Sequence, residues 1–168
     1  MEPTFFDLEM SLGYMTITTN RLLRTLMRRS MQDAGLDVTA EQWGVLVHVW
    51  NRGQISQEEL VASACVDKSS MSRILEMMRR KGLVSSSVDT RDRRRRMWRS
   101  TPKADAMQGR CAEVALGTLA RAWAGIDDAE IAMCLSILAR VKRTLGRALN
   151  DNDDRPSPSG EASGGNPT

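Results

Sequence analysis

One histidine and three cysteines are all that this 168-residue chain has of the side chains that most often hold transition metals. Cys65, Cys111 and Cys134 are an odd set with no CxxC pair and mostly apolar neighbours, which argues against a disulfide framework or a zinc site and for reduced thiols. His48 stands alone, so a histidine-rich metal site is excluded. There is no run of about 18 uninterrupted apolar residues to span a bilayer, and the N-terminus lacks a basic region followed by a sustained apolar stretch. A phosphate-binding glycine loop, a second histidine and a cysteine placed beside a base are missing too, so no catalytic residue, metal or cofactor is expected. The absences describe a cytoplasmic soluble protein, built as one ordinary domain or one module with extra oligomerisation helices.

What the chain does carry is positive charge in one place. The formal charge of +3 conceals an uneven distribution: beyond Leu149, Asp151, Asp153, Asp154 and Glu161 against Arg155 give −3, which leaves +6 on residues 1–149. Residues 91–99 alone hold six arginines and one aspartate. A solvated surface run is the plain reading of such a stretch; the alternative is a potential concentrated where a polyanion can use it.

Apolar spacing predicts mostly helix. Phe5, Leu8, Leu12, Met15, Leu22 and Leu26 mark a long amphipathic first helix ending before Gly35. Thr39 with Gln42 starts a second helix, whose inner face is expected to carry Trp43, Leu46, Val47 and Trp50 before Gly53 closes it. Ser56 and Glu59 have capping-box spacing and open a short helix bearing Leu60, Val61 and Ala64. After a turn, Asp67 caps a helix with Met71, Ile74, Leu75 and Met78 inward and Lys68, Ser69, Ser72 and Arg73 elsewhere, which makes a helix-turn-helix. Gly82 ends it; residues 83–88 and 96–100 read as short strands around a polar tip at residues 89–95. Thr101-Pro102 starts another long helix with Met107, Cys111, Val114, Leu119 and Trp123. Gly125 breaks that pattern, and Asp127 with Glu130 resets a cap before Ile131, Leu135, Leu138, Val141, Leu145 and Leu149. These last two helices are expected to form a hairpin. From Asn150 the composition offers no large apolar residue, so a disordered tail is expected.

The expected fold is therefore mainly α with a small β-hairpin, a winged helix-turn-helix at residues 36–101. Long dimerisation helices flank it at residues 1–35 and 102–149, and residues 150–168 form the tail. The flanking stripes need a partner surface, and the same helices of a second chain would supply it in a homodimer. A polar, basic helix suits a major groove, and a cationic hairpin beside it can reach phosphates or the minor groove.

With those elements placed, the sequence resembles the MarR family of bacterial transcriptional regulators over roughly residues 8–149. The stretches TAEQWGVL at 39–46 and SQEEL at 56–60 look like the family's second-helix opening and first helix-turn-helix element. VDKSSMSR at 66–73 is similar to its recognition helix, and KGLV at 81–84 to the entry into its wing. DTRDRR at 89–94 followed by TPK at 101–103 is the most specific piece. The resemblance implies a triangular dimer over palindromic double-stranded DNA, with small-molecule control in many members. Departures are Ser100 where leucine is common, Ala104 where glycine is usual, and Val88 with three preceding serines in place of an arginine ahead of the wing tip. They bear on local packing and on a wing phosphate contact that is missing or shifted onto Arg95 or Arg96.

Site residues follow, each beside its plainer reading. Lys68, Ser69, Ser70, Ser72 and Arg73 are candidates for phosphates and base edges, arginine for bidentate reading of guanine, although Ser70 also serves a helix cap. In the wing, Asp92 is expected to pair with Arg94 as a brace, Arg91 or Arg93 to make the tip contact, and Arg95 to join the DNA-binding set. For a small phenolic or lipophilic effector, Trp43 is a candidate as an aromatic wall, and the resemblance implies Tyr14, Met15 and His48, on helices that border the family's ligand cleft; the commoner reading of tryptophans and a lone histidine is core. Some relatives sense hydroperoxides through a first-helix cysteine, and this chain has none there. The expected function is a dimeric, sequence-specific DNA-binding repressor released by a ligand. The alternatives are a winged-helix protein-interaction module without specific DNA binding and a redox-responsive regulator.

Overall fold

Helix ends organise the chain. In the computed structural model, which describes residues 7–9, 11–64 and 66–153, α1 (Leu12–Asp33) begins at Ser11, whose hydroxyl accepts from the Tyr14 N–H. Leu8 therefore precedes the helix instead of joining its stripe, its carbonyl accepting from the Ser11 N–H, and Phe5 lies outside the described residues. At the other end the Leu36 N–H reaches the Met31 carbonyl and the Gly35 N–H the Gln32 carbonyl, with Gly35 at φ 69°. That paired closure needs a left-handed residue, which glycine adopts without a Cβ clash.

α2 (Ala40–Arg52) starts with the expected reciprocal cap: Gln42 N–H donates to Thr39 Oγ1, and Thr39 N–H to Gln42 Oε1. Its buried face keeps Leu46 of the expected set and is otherwise shifted, although Trp43 and Trp50 still pack against the core. Gln42, Val45, Leu46 and Val49 are buried, while Trp43 and Trp50 are half-buried and meet edge to face at 5.9 Å. Two large rings at helical spacing attract a core assignment, but each can keep a polar edge at the surface; Trp50 Nε1 donates to Asp105 at 3.0 Å.

The helix-turn-helix is α3 (Gln57–Ala64) and α4 (Lys68–Arg80). Ser56 and Glu59 form the capping box of α3, with Ser56 N–H donating to Glu59 Oε2 at 2.9 Å and Glu59 N–H to Ser56 Oγ at 3.2 Å. Met71, Leu75 and Met78 of α4 are fully buried with Leu60 of α3, and Ile74 is half-buried beside them. Cys65, in the turn, lies outside the described residues.

The sheet has one strand more than the sequence predicts. β1 (Ile55–Ser56) pairs antiparallel with β3 (Arg96–Ser100), which in turn pairs with β2 (Val84–Val88), giving the order β1-β3-β2. Trp98 occupies the middle of the central strand opposite Ile55 and Ser86, and is buried with Ile55 and Val84. Two residues offer too little alternation to be recognised as a strand from sequence. Leu83, expected in the hairpin, instead closes α4: its N–H reaches the Met78 carbonyl and the Gly82 N–H the Arg79 carbonyl.

α5 (Pro102–Ala122) opens on Thr101, whose Oγ1 accepts from the Ala104 N–H and donates to the Gly82 carbonyl at 2.6 Å. Ala104 is fully buried in the core with Cys111 and Ala115, and Arg110 donates to the Ala34 carbonyl at the end of α1. On α1 only Met27 and Met31 are buried; Leu12, Met15 and Leu22 are exposed.

Contacts divide the chain after Ala122. In the second unit, Asp127 and Glu130 cap each other's N–H groups ahead of α6 (Asp128–Asp153). The helix runs past the expected end at Leu149, and residues 154–168 of the expected tail lie outside the described residues. Met133, Leu135, Leu138, Leu145 and Leu149 are exposed on it, as is Cys134. Among the described residues no helix is long and apolar enough to cross a membrane.

Gly82 stands at φ 68° with only the Lys103 Cδ, 3.9 Å away, near the position a Cβ would take, so the penalty of adding one is conformational and not steric. Gly82→Ala should cost about 1 kcal/mol. Urea unfolding would register this as a lower midpoint with an unchanged slope; an unshifted midpoint would contradict the closure assigned to this glycine.

Candidate nucleic-acid interface

The first turn of α4 is fixed by one carboxylate. Asp67 Oδ1 accepts from the Ser69 hydroxyl at 2.6 Å and from the Ser70 N–H at 2.9 Å. The Ser69 hydroxyl, and next the Ser70 N–H, hold the Asp67 carboxyl well below the usual carboxylate range. Ser72 Oγ donates to the Lys68 carbonyl at 2.8 Å and accepts from Gln57 Nε2 at 2.6 Å, which links α4 to the start of α3. Ser69 and Ser72 are thus exposed hydroxyls already oriented by protein partners, and Ser70 is half-buried at the cap. Lys68 and Arg73 are exposed on the same helix, and among the described residues neither has a hydrogen-bond or ion-pair partner.

Further along, Glu76 binds its own helix: Arg79 donates to both its oxygens at 2.9 Å and Arg80 to Oε1 at 3.1 Å. Those two guanidiniums hold the Glu76 carboxyl down at about 2. The acid is thereby masked, and the end of α4 keeps a net positive character.

The wing turn is built from two aspartates acting on backbone. Asp89 Oδ1 accepts from the Arg91 N–H at 2.7 Å and the Asp92 N–H at 3.4 Å, and the Arg91 N–H is the main cause that keeps its carboxyl below the usual range. Asp92 Oδ1 accepts from the Arg94 N–H at 2.9 Å, so the brace expected between these residues runs to the Arg94 backbone and not to its guanidinium. The turn closes with Asp89 N–H to the Arg95 carbonyl and Arg95 N–H to the Asp92 carbonyl. Because both carboxylates are satisfied by amides, Arg91, Arg93, Arg94 and Arg96 extend exposed and, among the described residues, without a side-chain partner.

Arg95 is the exception. Its Nε donates to Glu58 Oε2 at 3.2 Å and its Nη2 to Ser56 Oγ at 3.1 Å, with Glu59 Oε2 at 3.8 Å. The sequence placed it with the DNA contacts; the structure turns it back onto α3. Asp89 is the residue that sequence reasoning passed over, although an aspartate two positions before a turn amide is a known turn former.

Among the described residues, the two clefts beside this surface are not lined by the effector candidates. Tyr14 and Met15 are exposed near the start of α1, and Trp43 and His48 are half-buried on α2. A cleft of about 450 Å³ flanking α4 is lined instead by Arg24, Gln42, Ser70, Arg73, Ile74 and Met77, among others. An open cleft of about 730 Å³ on the wing is lined by its serines, Arg91 and Arg99. Burial pushes the Cys111 thiol up, which makes its reactive thiolate scarce. Among the described residues no group of histidine, cysteine, aspartate or glutamate is arranged to hold a metal ion.

The sequence model of the MarR family matches residues 38–95, which span α2 to the wing tip. Solved structures share the fold. Bordetella bronchiseptica BpsR, whose DNA binding is regulated by 6-hydroxynicotinic acid, is 19% identical with a TM-score of 0.74 over 82% of this chain and 96% of that one. A mutant of MarR from E. coli complexed with operator DNA is 22% identical with a TM-score of 0.72, over 81% of this chain and 99% of that one. A probable transcriptional regulator from Pseudomonas aeruginosa is 23% identical with a TM-score of 0.72, over 80% and 98%. At these identities the likeness is one of fold.

The Asp67 cap has a pH signature. A carboxyl whose pKa is lowered on folding contributes stability that is complete above its ordinary value of 3.8 and is lost as pH falls below it toward the folded value. Asp67→Asn keeps a capping oxygen but not the charge, so it should melt below the wild type at neutral pH, and the gap should close as pH drops below about 4. Thermal unfolding followed by circular dichroism across that range measures the gap. One that stays constant with pH would contradict the charged cap.

Proposed function

We propose, from the match of the MarR-family model to residues 38–95 and the fold shared with MarR from E. coli, that the chain is a cytoplasmic, sequence-specific DNA-binding regulator that acts as a homodimer and represses by occupying a palindromic operator. The reading rests on one observation: Lys68 and Arg73 on α4, and Arg91, Arg93, Arg94 and Arg96 on the wing, are exposed without side-chain partners among the described residues, while Asp67, Asp89 and Asp92 are satisfied by neighbouring donors. Unpaired cations on an ordered helix and an ordered hairpin suit a polyanion of regular geometry. In this reading α4 enters the major groove, where Arg73 reads a base edge, and Arg91 or Arg93 reaches the neighbouring minor groove. Ser69, Ser70 and Ser72 line the groove-facing turn as phosphate or base partners, their hydroxyls still able to accept.

Homodimerisation follows from apolar side chains that the single chain leaves in water. Leu12, Met15 and Leu22 on α1, and separately Leu135, Leu138, Leu145 and Leu149 on α6, are exposed at helical spacing, as stripes facing a second copy would be. Two copies would set two recognition helices against half-sites about one helical turn apart. Release by a small phenolic or lipophilic effector is the regulatory part of the proposal, with Tyr14, Met15, Trp43 and His48 as its candidate contacts. Such a ligand acts by favouring a dimer whose recognition helices no longer match both half-sites.

Fluorescence anisotropy with duplex from the chain's own upstream region, against random duplex and across salt, tests the reading. Arg73→Ala should weaken specific more than random binding. Arg91→Ala should weaken both and flatten the dependence of log affinity on log salt by about one unit. Equal losses on both duplexes for Arg73→Ala would remove its base-reading role. A wild-type chain that prefers no duplex over random sequence would leave a protein-docking winged helix as the better account.

A further inference from the structure

Arg95 differs from its neighbours in the arginine run in what its side chain touches. Its side chain is 39% exposed, and its guanidinium lies among three side chains of the first turn of α3 and the residue before it: Glu58 at 3.2 Å, Ser56 at 3.1 Å and Glu59 at 3.8 Å. Ser56 and Glu59 are the capping pair of α3, and Ser56 is also the β1 residue paired with Met97 of β3. The Glu59 carboxyl is held below its usual range chiefly by the Ser56 hydroxyl and N–H, with Arg95 adding to the effect, so it is ionised at neutral pH. The Arg95 backbone meanwhile closes the wing turn, its N–H donating to the Asp92 carbonyl and its carbonyl accepting from the Asp89 N–H. One residue thus joins the base of the wing to the start of the helix-turn-helix.

We infer that Arg95 is a positioning residue of the DNA-binding surface: through Ser56, Glu58 and Glu59 it fixes the wing against α3 and does not itself contact DNA. The inference rests on the DNA-binding reading above. Two features favour the strut over a phosphate contact. The charge of Arg95 is already balanced by two carboxylates, and a phosphate approaching it would meet the Glu58 side chain, which is 68% exposed. In addition, Glu58 lines a cleft of about 240 Å³ together with Lys68 from α4 and Arg94 and Arg96 from the wing. The strut sets how far those three cations stand apart, and therefore how the two DNA-facing elements register on one backbone.

The test compares Arg95→Ala and Glu58→Ala with the full-length wild type, by anisotropy on the upstream duplex across salt and by amide hydrogen exchange on the free chain. Arg95→Ala should bind about fivefold more weakly and Glu58→Ala more weakly by a smaller factor, each with the salt dependence unchanged, and the double variant should lose no more than Arg95→Ala. The sign for Glu58→Ala is diagnostic, because removing an acid beside DNA would otherwise tighten binding. Without DNA, exchange at the amides of residues 89 and 95 should quicken in both variants, more in Arg95→Ala than in Glu58→Ala, and stay unchanged in Arg93→Ala. A salt slope flatter by about one unit in Arg95→Ala, tighter binding by Glu58→Ala, or unaltered exchange in the wing would each overturn the inference. If the wild type selects no duplex, the DNA reading fails and the exchange measurement still decides whether the strut exists.

Discussion

The surface offered by α4 depends on both ends of that helix being held through backbone groups that a helix cannot satisfy by itself. At the N-terminus Asp67 takes the Ser70 N–H and the Ser69 hydroxyl. At the C-terminus Gly82 and Leu83 fold their N–H groups back on Arg79 and Met78, Thr101 Oγ1 donates to the Gly82 carbonyl, and Lys103 Nζ donates to the Lys81 carbonyl at 2.7 Å. Lys81 Nζ reaches on to Asp37 at 2.7 Å ahead of α2. With the ends fixed and Met71, Leu75 and Met78 buried, the rotation of the helix is determined, and the faces assigned to Lys68 and Arg73 follow from it.

The wing obeys a related rule. Four consecutive arginines at residues 93–96 repel one another, and a hairpin carrying them needs acids nearby. The structure places those acids in different roles. Asp89 and Asp92 organise the peptide path through amides, leaving guanidiniums outward, whereas Glu58 and Glu59 lie across from the hairpin and engage Arg95. Charge is divided between shape and recognition by which donor each carboxylate reaches.

Much of this was legible in the sequence because it is local. Thr39 with Gln42, Ser56 with Glu59, and Asp127 with Glu130 act across three residues, and their spacing alone announced three helix starts that the structure contains. The glycines after α1 and α4 were readable for the same reason. What failed to show was set by distance in sequence. β1 exists only because β3 pairs with it, the buried face of α2 is chosen by the elements around it, and Glu58 lies 37 residues from Arg95. Among the five arginines at residues 91 and 93–96, nothing in their order marks the one that turns onto α3. Of the effector candidates, Tyr14, Met15 and His48 rest on a resemblance and Trp43 on its aromatic ring; the first two are exposed on α1, and Trp43 and His48 are half-buried on α2.

The order β1-β3-β2 leaves Val84–Val88 at the rim of the sheet, with one side of its peptide groups unpaired by any strand among the described residues. An exposed rim of that kind is a template on which another chain could add a strand, the first step toward aggregation. Here the rim is five residues long, three of them serine, and it runs directly into the arginine-rich turn. Two such rims approaching each other would bring like charges together before their peptide groups could meet. The arginines proposed to hold a polyanion would therefore also set such rims against each other by like charge.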